Sequence, residues 1–418
     1  MPLDQQNARV GIDGDRLWDR LMVMAKIGAT AEGGVNRQAF SMEDVAARQI
    51  LIDWAHHRGF LTSTDEIGNL FVRREGTNPG LPAVLSGSHL DSQPSGGRFD
   101  GVLGVLAAFE VLESLEDAGI TTQHPVEAVA WSNEEGSRFQ PGAMGSMIFS
   151  GACELEGLAD VTDRSGIRLM DALNATRQAT PTVPDRRNAT RPHAYIEVHI
   201  EQGPLLEAAG AQIGVVTGIQ GTRWFNVEIR GASAHAGTTP RKSRADALRE
   251  AVAVISAMQE RFIDADDVLR FTVGRLDVEP NSPNTVPERV VFSVDLRHPD
   301  AGFLDLMATE IVEICRTTVQ KCTAHVKETF RSAPCHFPDD IVELIEDETM
   351  GLGYKHMRLP SGAFHDALFI SRFCPTGMIF VPCEKGISHN PHENADPADI
   401  AAGANVLLEA IVSLAKPT

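Results

Sequence analysis

Apolar positions along this chain change their period near residues 213 and 331, and that change organises the whole sequence. Up to residue 212, short apolar runs alternate with stretches of helical period. Met42 to Gly59 places Val45, Ile50 and Trp54 on one helical side and ends on a glycine suited to a C-cap. Strands follow at Asn69 to Val72 and Ala83 to Leu85. A helix opens at Asp100-Gly101, with Val102, Val105, Phe109 and Leu112 at helical spacing. Val126 to Trp131 is another short apolar strand. From Ala194 to Glu201 the alternation is strict: Ala194, Ile196, Val198 and Ile200 face one way, and Glu197, His199 and Glu201 the other. The pattern predicts a βα sequence with its polar residues at strand ends, where open α/β sheets keep their sites.

Between 213 and 330 the pattern is different. Phe225, Val227 and Ile229 mark a strand, and Ser243 to Phe262 a helix with Leu248, Val252, Ile255 and Phe262 on one side. Strands at Phe271 to Asp277 and Arg289 to His298 precede a second helix, Gly302 to Thr318. Strand, helix, two strands, helix, strand is the order of a compact α+β, ferredoxin-like unit inserted into the first domain. From 331 to 418 the α/β character returns. It ends in a helix opened by Asp396-Pro397, an N-cap and N1 pair, with Ile400, Ala404, Leu407, Ile411 and Leu414 inward.

A chain of 418 residues exceeds the size at which one core keeps growing, which agrees with two domains. Acidic residues outnumber basic ones by 57 to 37, a net charge of −20, so sequence-independent nucleic-acid binding is not expected. An anionic substrate must instead meet a locally placed Arg or Lys. The six cysteines are scattered without a CxxC pair, as buried thiols of a reducing compartment would be. The N-terminal residues show no basic segment followed by an apolar run, and no run of 18 apolar residues occurs, so no membrane span is expected. The expected compartment is the cytoplasm.

The chemistry collects in four motifs. SGSHLDSQPSGGRFDG holds His89 and Asp100 around a glycine-rich bend; WSNEEGSRF holds Glu134 and Glu135; EVHIEQGP holds His199; GISHNPHE holds His389. A single histidine at a strand end is more often a hydrogen-bonded structural group than a ligand. An Asp before Gly is usually a turn or cap residue, and paired Glu residues usually a solvated face. Three imidazoles and several carboxylates together suit a two-metal hydrolytic site better than a structural zinc, which would draw on Cys. Two divalent ions about 3.5–4 Å apart need a bridging carboxylate, and Asp100, short and flanked by glycines, is the natural bridge. His89 and His199 would complete one site, Glu135 and His389 the other. Asp91 suits a supporting role, accepting the far ring N–H of a ligating His. Glu134 is left as the general base. His392, close after His389, competes for the last ligand position.

These motifs resemble the amidohydrolase branch of the di-zinc aminoacylase and carboxypeptidase superfamily: N-carbamoyl-L-amino-acid hydrolases, β-ureidopropionases and allantoate amidohydrolases. The resemblance runs from about Ile50 to the C-terminal helix. It implies metal ligands at His89, Asp100, Glu135, His199 and His389, a catalytic base at Glu134, and a substrate contact at Gln202. Residues 1–212 and 331–418 would form the mixed-sheet di-metal catalytic domain, and 213–330 the inserted dimerisation and lid domain. In that insert, GASAHAGTTP, PNSPNTVP and DLRH imply that His235 polarises the scissile carbonyl, Asn284 holds the polar end of the substrate and Arg297 grips its carboxylate. A planar guanidinium suits that last task, although a surface salt bridge is the commoner fate of such an Arg. Departures are Phe364, where relatives usually carry Gly, beside the pocket near Gly362 and His365, and Arg241, where Met is usual. The implied reaction is cleavage of a ureido C–N bond on a small carboxylate substrate by a homodimer with two divalent ions. Zinc is the first choice, and manganese, cobalt or nickel are also accepted by such ligands. N-carbamoyl-L-amino acids lead as substrates, then allantoate or 3-ureidopropionate, with N-acyl-amino acids or peptides weaker. A non-catalytic homologue would have lost the base or a ligand, and neither is lost.

Overall fold

The computed structural model describes residues 10–416 apart from 182, 187–189 and 267. Two compact units emerge, Met1–Gly218 with Phe337–Thr418, and Ile219–His336. Each boundary falls six residues later than the change of pattern suggests (218 − 212 and 336 − 330). The physical reason at the first boundary is pairing: the strand Ile213–Ile219 joins Thr376–Val381 in antiparallel register, so its apolar residues belong to the first core.

In the first unit the sheet runs in the order Leu61–Thr64, Leu70–Arg74, Val126–Trp131, Val84–His89, Ala194–Ile200, Thr376–Val381, Ile213–Ile219. The four central strands are mutually parallel and the outer pairings antiparallel, so the sheet is mixed. Every residue of those four strands is buried, which requires cover on both faces. The helices Val102–Asp117 and Pro397–Ala415 pack against them. Pro397–Ala415 is long and apolar enough to cross a membrane by length and composition, but its Ile400, Ala404, Leu407 and Ile411 are spent on this core. Asp396 caps it by accepting the N–H of Ala398 at 2.8 Å. Leu414, expected inward, is half-buried.

The helix after Ser41 spans Met42–His57, and its buried side differs from the one read from the pattern. Ala47, Leu51 and Ala55 face the core together with Asp44 and Arg48, while Val45, Ile50 and Trp54 are half-buried. An ion pair explains the shift: Asp44 and Arg48 lie at 3.0 Å, and Arg48 also donates to the carbonyl of Gly68 and the hydroxyl of Ser132. Two charged residues that satisfy each other can occupy a core stripe that composition alone assigns to apolar ones.

The second unit is an antiparallel sheet in the order Leu276–Glu279, Arg289–His298, Gly221–Arg230, Thr323–Ser332. The helices Ala247–Arg261 and Ala301–Thr318 cover one face through a core of Phe225, Val227, Ile229, Val254, Met258, Phe292, Leu296, Leu304 and Ile311. This is the β-α-β-β-α-β order expected from the pattern. The single strand expected at Phe271 to Asp277 is split into Arg270–Thr272 and Leu276–Glu279, each paired with a different part of Arg289–His298. Ser293 bonds into the gap, exchanging contacts with Arg275 through its backbone N–H and its hydroxyl. Val252, expected on the inward side of its helix, is exposed, and Ala251 and Val254 pack inward instead. No disulfide joins the six cysteines; Cys315, Cys374 and Cys383 are buried, whereas Cys153, Cys322 and Cys335 are only half-buried.

Candidate metal centre

Parallel pairing of Val84–His89 with Ala194–Ile200 makes His89 and His199 leave the sheet at the same edge, with ring centres 6.1 Å apart. Between these strands in sequence lies Asp100, just ahead of the helix Val102–Asp117. The residue that joins it to the helix must be glycine. Gly101 has φ +68°, and a Cβ there would overlap the imidazole of His89. Glu134 and Glu135 sit on the turn after Val126–Trp131, between Asn133 at φ 55° and Gly136 at φ 59°. Asp91 holds this turn, accepting the N–H of Glu134 at 3.2 Å and of Glu135 at 3.3 Å.

Asp100 stands at the middle. Its Oδ1 lies 3.2 Å from Nε2 of His199 and 3.8 Å from Nε2 of His89, while Oδ2 lies 3.2 Å from Nε2 of His389. Glu135 is 3.6 Å from the same His389 nitrogen, and Glu134 3.4 Å from His89 Nε2. Two sets able to hold an ion therefore share one carboxylate: His89, Asp100 and His199, and Asp100, Glu135 and His389, with ligand atoms in each set within 4.8 Å of one another. His392, the competing ligand, is exposed and belongs to neither set. A third set, Glu197, His199 and His365, lies beneath. There Glu197 already accepts from the hydroxyls of Ser88 and Tyr195 and the N–H of Ala367, which marks it as support.

The far ring nitrogens are held by backbone oxygens: Nδ1 of His89 is 2.8 Å from the carbonyl of Asp91, and Nδ1 of His199 2.9 Å from that of Ile200. A carbonyl can only accept, so both Nδ1 atoms carry a proton, which leaves Nε2 of each ring as the atom that would meet a metal ion. The tautomer-fixing partner of His89 is thus the Asp91 carbonyl, not its carboxylate, whose oxygen is 3.9 Å away. The carboxylate serves the Glu134-Glu135 turn instead.

Electrostatics make the cluster a site for a cation. Burial, then the charges of Asp366, Glu135, Asp91 and Asp100, push the carboxyl of Glu134 well above its usual range. Burial and the charge of Asp100 raise Glu135 to about 8, and burial with the charge of Asp44 raises Asp91 to about 7. Burial opposes ionisation of Asp100 too, but hydrogen bonds with His199 and His389 outweigh it and hold this carboxyl well below its usual range. His89 is lowered by burial to about 4. In His199 burial is the largest single influence, but the hydrogen bond with Asp100 and the charges of Asp100 and Glu197 together outweigh it and raise the ring to about 9. His389 is raised to about 9 chiefly by its hydrogen bond with Asp100. Crowded carboxylates whose ion partners are imidazoles suit bound divalent ions, which would remove the mutual repulsion and deprotonate the ligands. The all-N/O donor set fits ions of the zinc, manganese, cobalt or nickel kind.

Other residues expected from the sequence are placed as follows. Gln202, at φ 56°, directs its amide N–H to Asp100 Oδ2 and to Ser388 Oγ, both at 3.1 Å. Gly362 lies in an exposed turn before His365, whose ring is 4.5 Å from that of His199. Phe364 stacks edge-on with Phe369 at 5.6 Å. In the second unit His235 and Asn284 meet at a small two-stranded antiparallel ladder, Ala234–His235 with Thr285–Val286, where the N–H of Ala236 donates to the Asn284 carbonyl at 3.0 Å. His235 Nδ1 accepts the N–H groups of Gly237 and Thr238 at 3.1 and 3.0 Å, which leaves the proton on Nε2. Arg297 forms a two-pronged pair with Asp295, its Nη2 3.0 Å from Oδ2 and its Nε 3.1 Å from Oδ1.

Sequence reading missed several residues that hold the cluster. Gln93 binds Glu135 twice, through its backbone N–H at 3.1 Å and its side-chain amide at 2.6 Å. Arg37, fully buried, donates to the carbonyls of Met24, Ile27 and Leu90 and so fastens the segment after His89. Asn69 accepts from the N–H of Ser132 and donates to the Gly145 carbonyl, anchoring the approach to Glu134. Glu393 accepts the N–H groups of Phe99 and Asp100. Gln93 and Glu393 stood within the quoted motifs; nothing local singled out Arg37 or Asn69.

Comparison with known proteins agrees with this geometry. Residues 85–413 match the profile of peptidase family M20/M25/M40. The chain is 39% identical to an N-carbamoyl-L-amino-acid amidohydrolase of Rhizobium meliloti over 98% of both chains. It is 38% identical to an N-carbamoyl-L-amino acid amidohydrolase of Geobacillus stearothermophilus over 97% of this chain and 99% of that one. A crystal structure of a hydantoinase/carbamoylase family amidase from Burkholderia multivorans superposes with a TM-score of 0.89 at 42% identity, covering 98% of this chain and 100% of the other. With its acid and imidazole cluster at the carboxyl edge of a mixed sheet, the chain belongs to peptidase family M20/M25/M40, on its hydantoinase/carbamoylase amidase branch.

Proposed function

We propose that this protein hydrolyses the ureido C–N bond of N-carbamoyl-L-amino acids with two divalent ions, zinc by preference. His89, Asp100 and His199 would hold one ion, and Asp100, Glu135 and His389 the other. The observation that carries this reading is the posture of Asp100, whose two oxygens face separate imidazoles at 3.2 Å each. The full-length likeness to N-carbamoyl-L-amino-acid amidohydrolases supports the choice of substrate. When bound, such ions make water acidic enough to attack and stabilise charge developing on the carbonyl oxygen.

The chain's own residues would supply the rest. Glu134 takes a proton from the attacking water and delivers it to the departing nitrogen. The amino acid leaves, and the carbamic acid formed with it decomposes to carbon dioxide and ammonia. His235, with its proton on Nε2, is the proposed donor to the developing oxyanion. Arg297 is proposed to exchange Asp295 for the substrate carboxylate, with Asn284, Gln202 and Gly362 as further substrate contacts. A homodimer through the second unit belongs to the same proposal; the exposed Val252, Leu306 and Val312 on its helices are apolar surface that a second copy would cover.

Chelator-stripped protein reloaded with zinc, manganese, cobalt or nickel tests the reading. Ammonia release should appear with N-carbamoyl-L-amino acids, exceed that from allantoate and 3-ureidopropionate, and vanish without metal. Full activity in stripped protein would end the metal proposal. Faster turnover of allantoate or of N-acetyl amino acids would reassign the substrate.

A further inference from the structure

We propose that Glu393 is the positioning residue of this centre, setting Asp100 and His389 at the separation that lets one carboxylate serve two ions. The inference rests on the reading of Asp100 and His389 as ligands. Glu393 is 1% exposed, and each of its carboxylate oxygens has a named donor. Oε1 accepts the N–H of Phe99 at 2.9 Å and of Asp100 at 3.1 Å; Oε2 accepts the hydroxyl of Ser388 at 3.0 Å. One side chain thereby ties the loop that presents Asp100 to the loop that presents His389.

Ser388 extends the tie. Its Oγ lies 3.4 Å from Asp100 Oδ2, the oxygen that faces His389, and accepts the amide of Gln202 at 3.1 Å. Two further observations show that the arrangement is built. Gly97 packs so closely on Glu393 that a Cβ there would overlap the carboxylate, so the approach requires glycine. His389 has φ 51°, a left-handed conformation costly for a residue with a side chain, which persists only where the surroundings over-determine it. The Glu393 N–H bonded to the Asn390 carbonyl at 3.0 Å and Arg98 bonded to Asn394 at 3.0 Å supply part of that constraint. Because its oxygens are engaged by these donors, Glu393 acts through Asp100 and His389 and is not itself a ligand.

Charge and geometry can be separated by substitution. In Glu393→Gln the amide oxygen still accepts from Phe99 and Asp100, and the amide nitrogen donates to Ser388. In Glu393→Ala and Glu393→Asp that reach is lost. Metal-free wild-type protein and variants are titrated with cobalt, read by ligand-field absorbance and by competition with a chromophoric chelator, with thermal unfolding of the metal-free proteins alongside. Glu393→Ala and Glu393→Asp should weaken one equivalent of metal by roughly 10–100-fold, the usual effect of losing a partner behind a ligand, and Glu393→Gln should bind as the wild type does. Ser388→Ala, a variant for the case in which Glu393→Ala does not fold, should weaken the same equivalent by about two- to tenfold, the worth of one hydrogen bond. Wild-type affinity in both Glu393→Ala and Ser388→Ala would overturn the proposal, even if their metal-free melting temperatures fell, because that is the result of a merely structural tie. Glu393→Gln as weak as Glu393→Ala would overturn it as well, in favour of charge. A wild-type protein that takes up no metal would sink the metal-centre reading and this inference together; uptake by wild type and Glu393→Ala alike would sink this one alone.

Discussion

In the strand Arg289–His298 of the second unit, Val290, Phe292, Val294 and Leu296 are buried and the residues between them half-exposed. In Ala194–Ile200 of the first unit all seven residues are buried, Glu197 and His199 included. Both strands alternate apolar and polar residues in sequence. The difference is cover: an antiparallel sheet with helices on one face leaves its polar side in water, while parallel central strands are covered on both. Polar residues on the two strands therefore have different reasons to exist. Those of Arg289–His298 need no partner beyond solvent, and the Arg297–Asp295 pair, about 30% exposed at each side chain, is a surface contact. Those of Ala194–Ile200 must be satisfied inside the protein, and they are met by Ser88, Tyr195, Ala367 and Asp100.

Substitutions can press on that contrast. The largest effect is expected from Glu134→Gln in the first unit, which should lower kcat by roughly 10²–10⁴-fold, the worth of a general base, while elemental analysis finds the metal content unchanged. Loss of metal along with activity would make Glu134 a ligand. In the second unit, Arg297→Ala should raise KM for carboxylate substrates by roughly 10–100-fold, from the 1.5–3 kcal/mol of a charged hydrogen bond, with Arg297→Lys recovering part of it. An unchanged KM would leave Arg297 as the surface pair it forms with Asp295. Glu197→Ala should lower stability by about 1–3 kcal/mol in urea unfolding, since it strands the buried donors of Ser88 and Ala367, while Tyr195 keeps the Gly87 carbonyl. The smallest effect is Asp295→Ala, about 0–1 kcal/mol by the same measurement, as exposed pairs contribute little. Equal losses from Glu197→Ala and Asp295→Ala would dissolve the contrast.

Legibility followed the same division. In the second unit the apolar alternation led directly to the right faces, because one side of each strand meets water. There the failures were local: the Ser293 insertion that split Phe271 to Asp277, and the helix face turned so that Val252 is exposed. In the first unit strand positions were readable, and so were the residues that converge on Asp100, since acids and imidazoles beside apolar strand ends are conspicuous. Their supports were not. Gln93 and Glu393 look like ordinary loop residues, Arg37 like a surface one and Asn69 like the mere start of a strand, and the carboxylate of Asp91 is the expected tautomer-fixing group where its carbonyl serves instead.

By itself, then, the amino-acid order determined the period of each segment, the interruption of one unit by another, and the identity of the acids and imidazoles available for metal, because these are properties of neighbouring residues. Only tertiary structure decided that His199 faces Asp100, that Gln93 grips Glu135, and that Glu393 joins two loops nearly three hundred residues apart (393 − 100 = 293). Hydrogen bonds are short and directional, so a buried group finds its partner by where the backbone carries it, and distance along the chain says nothing about that meeting.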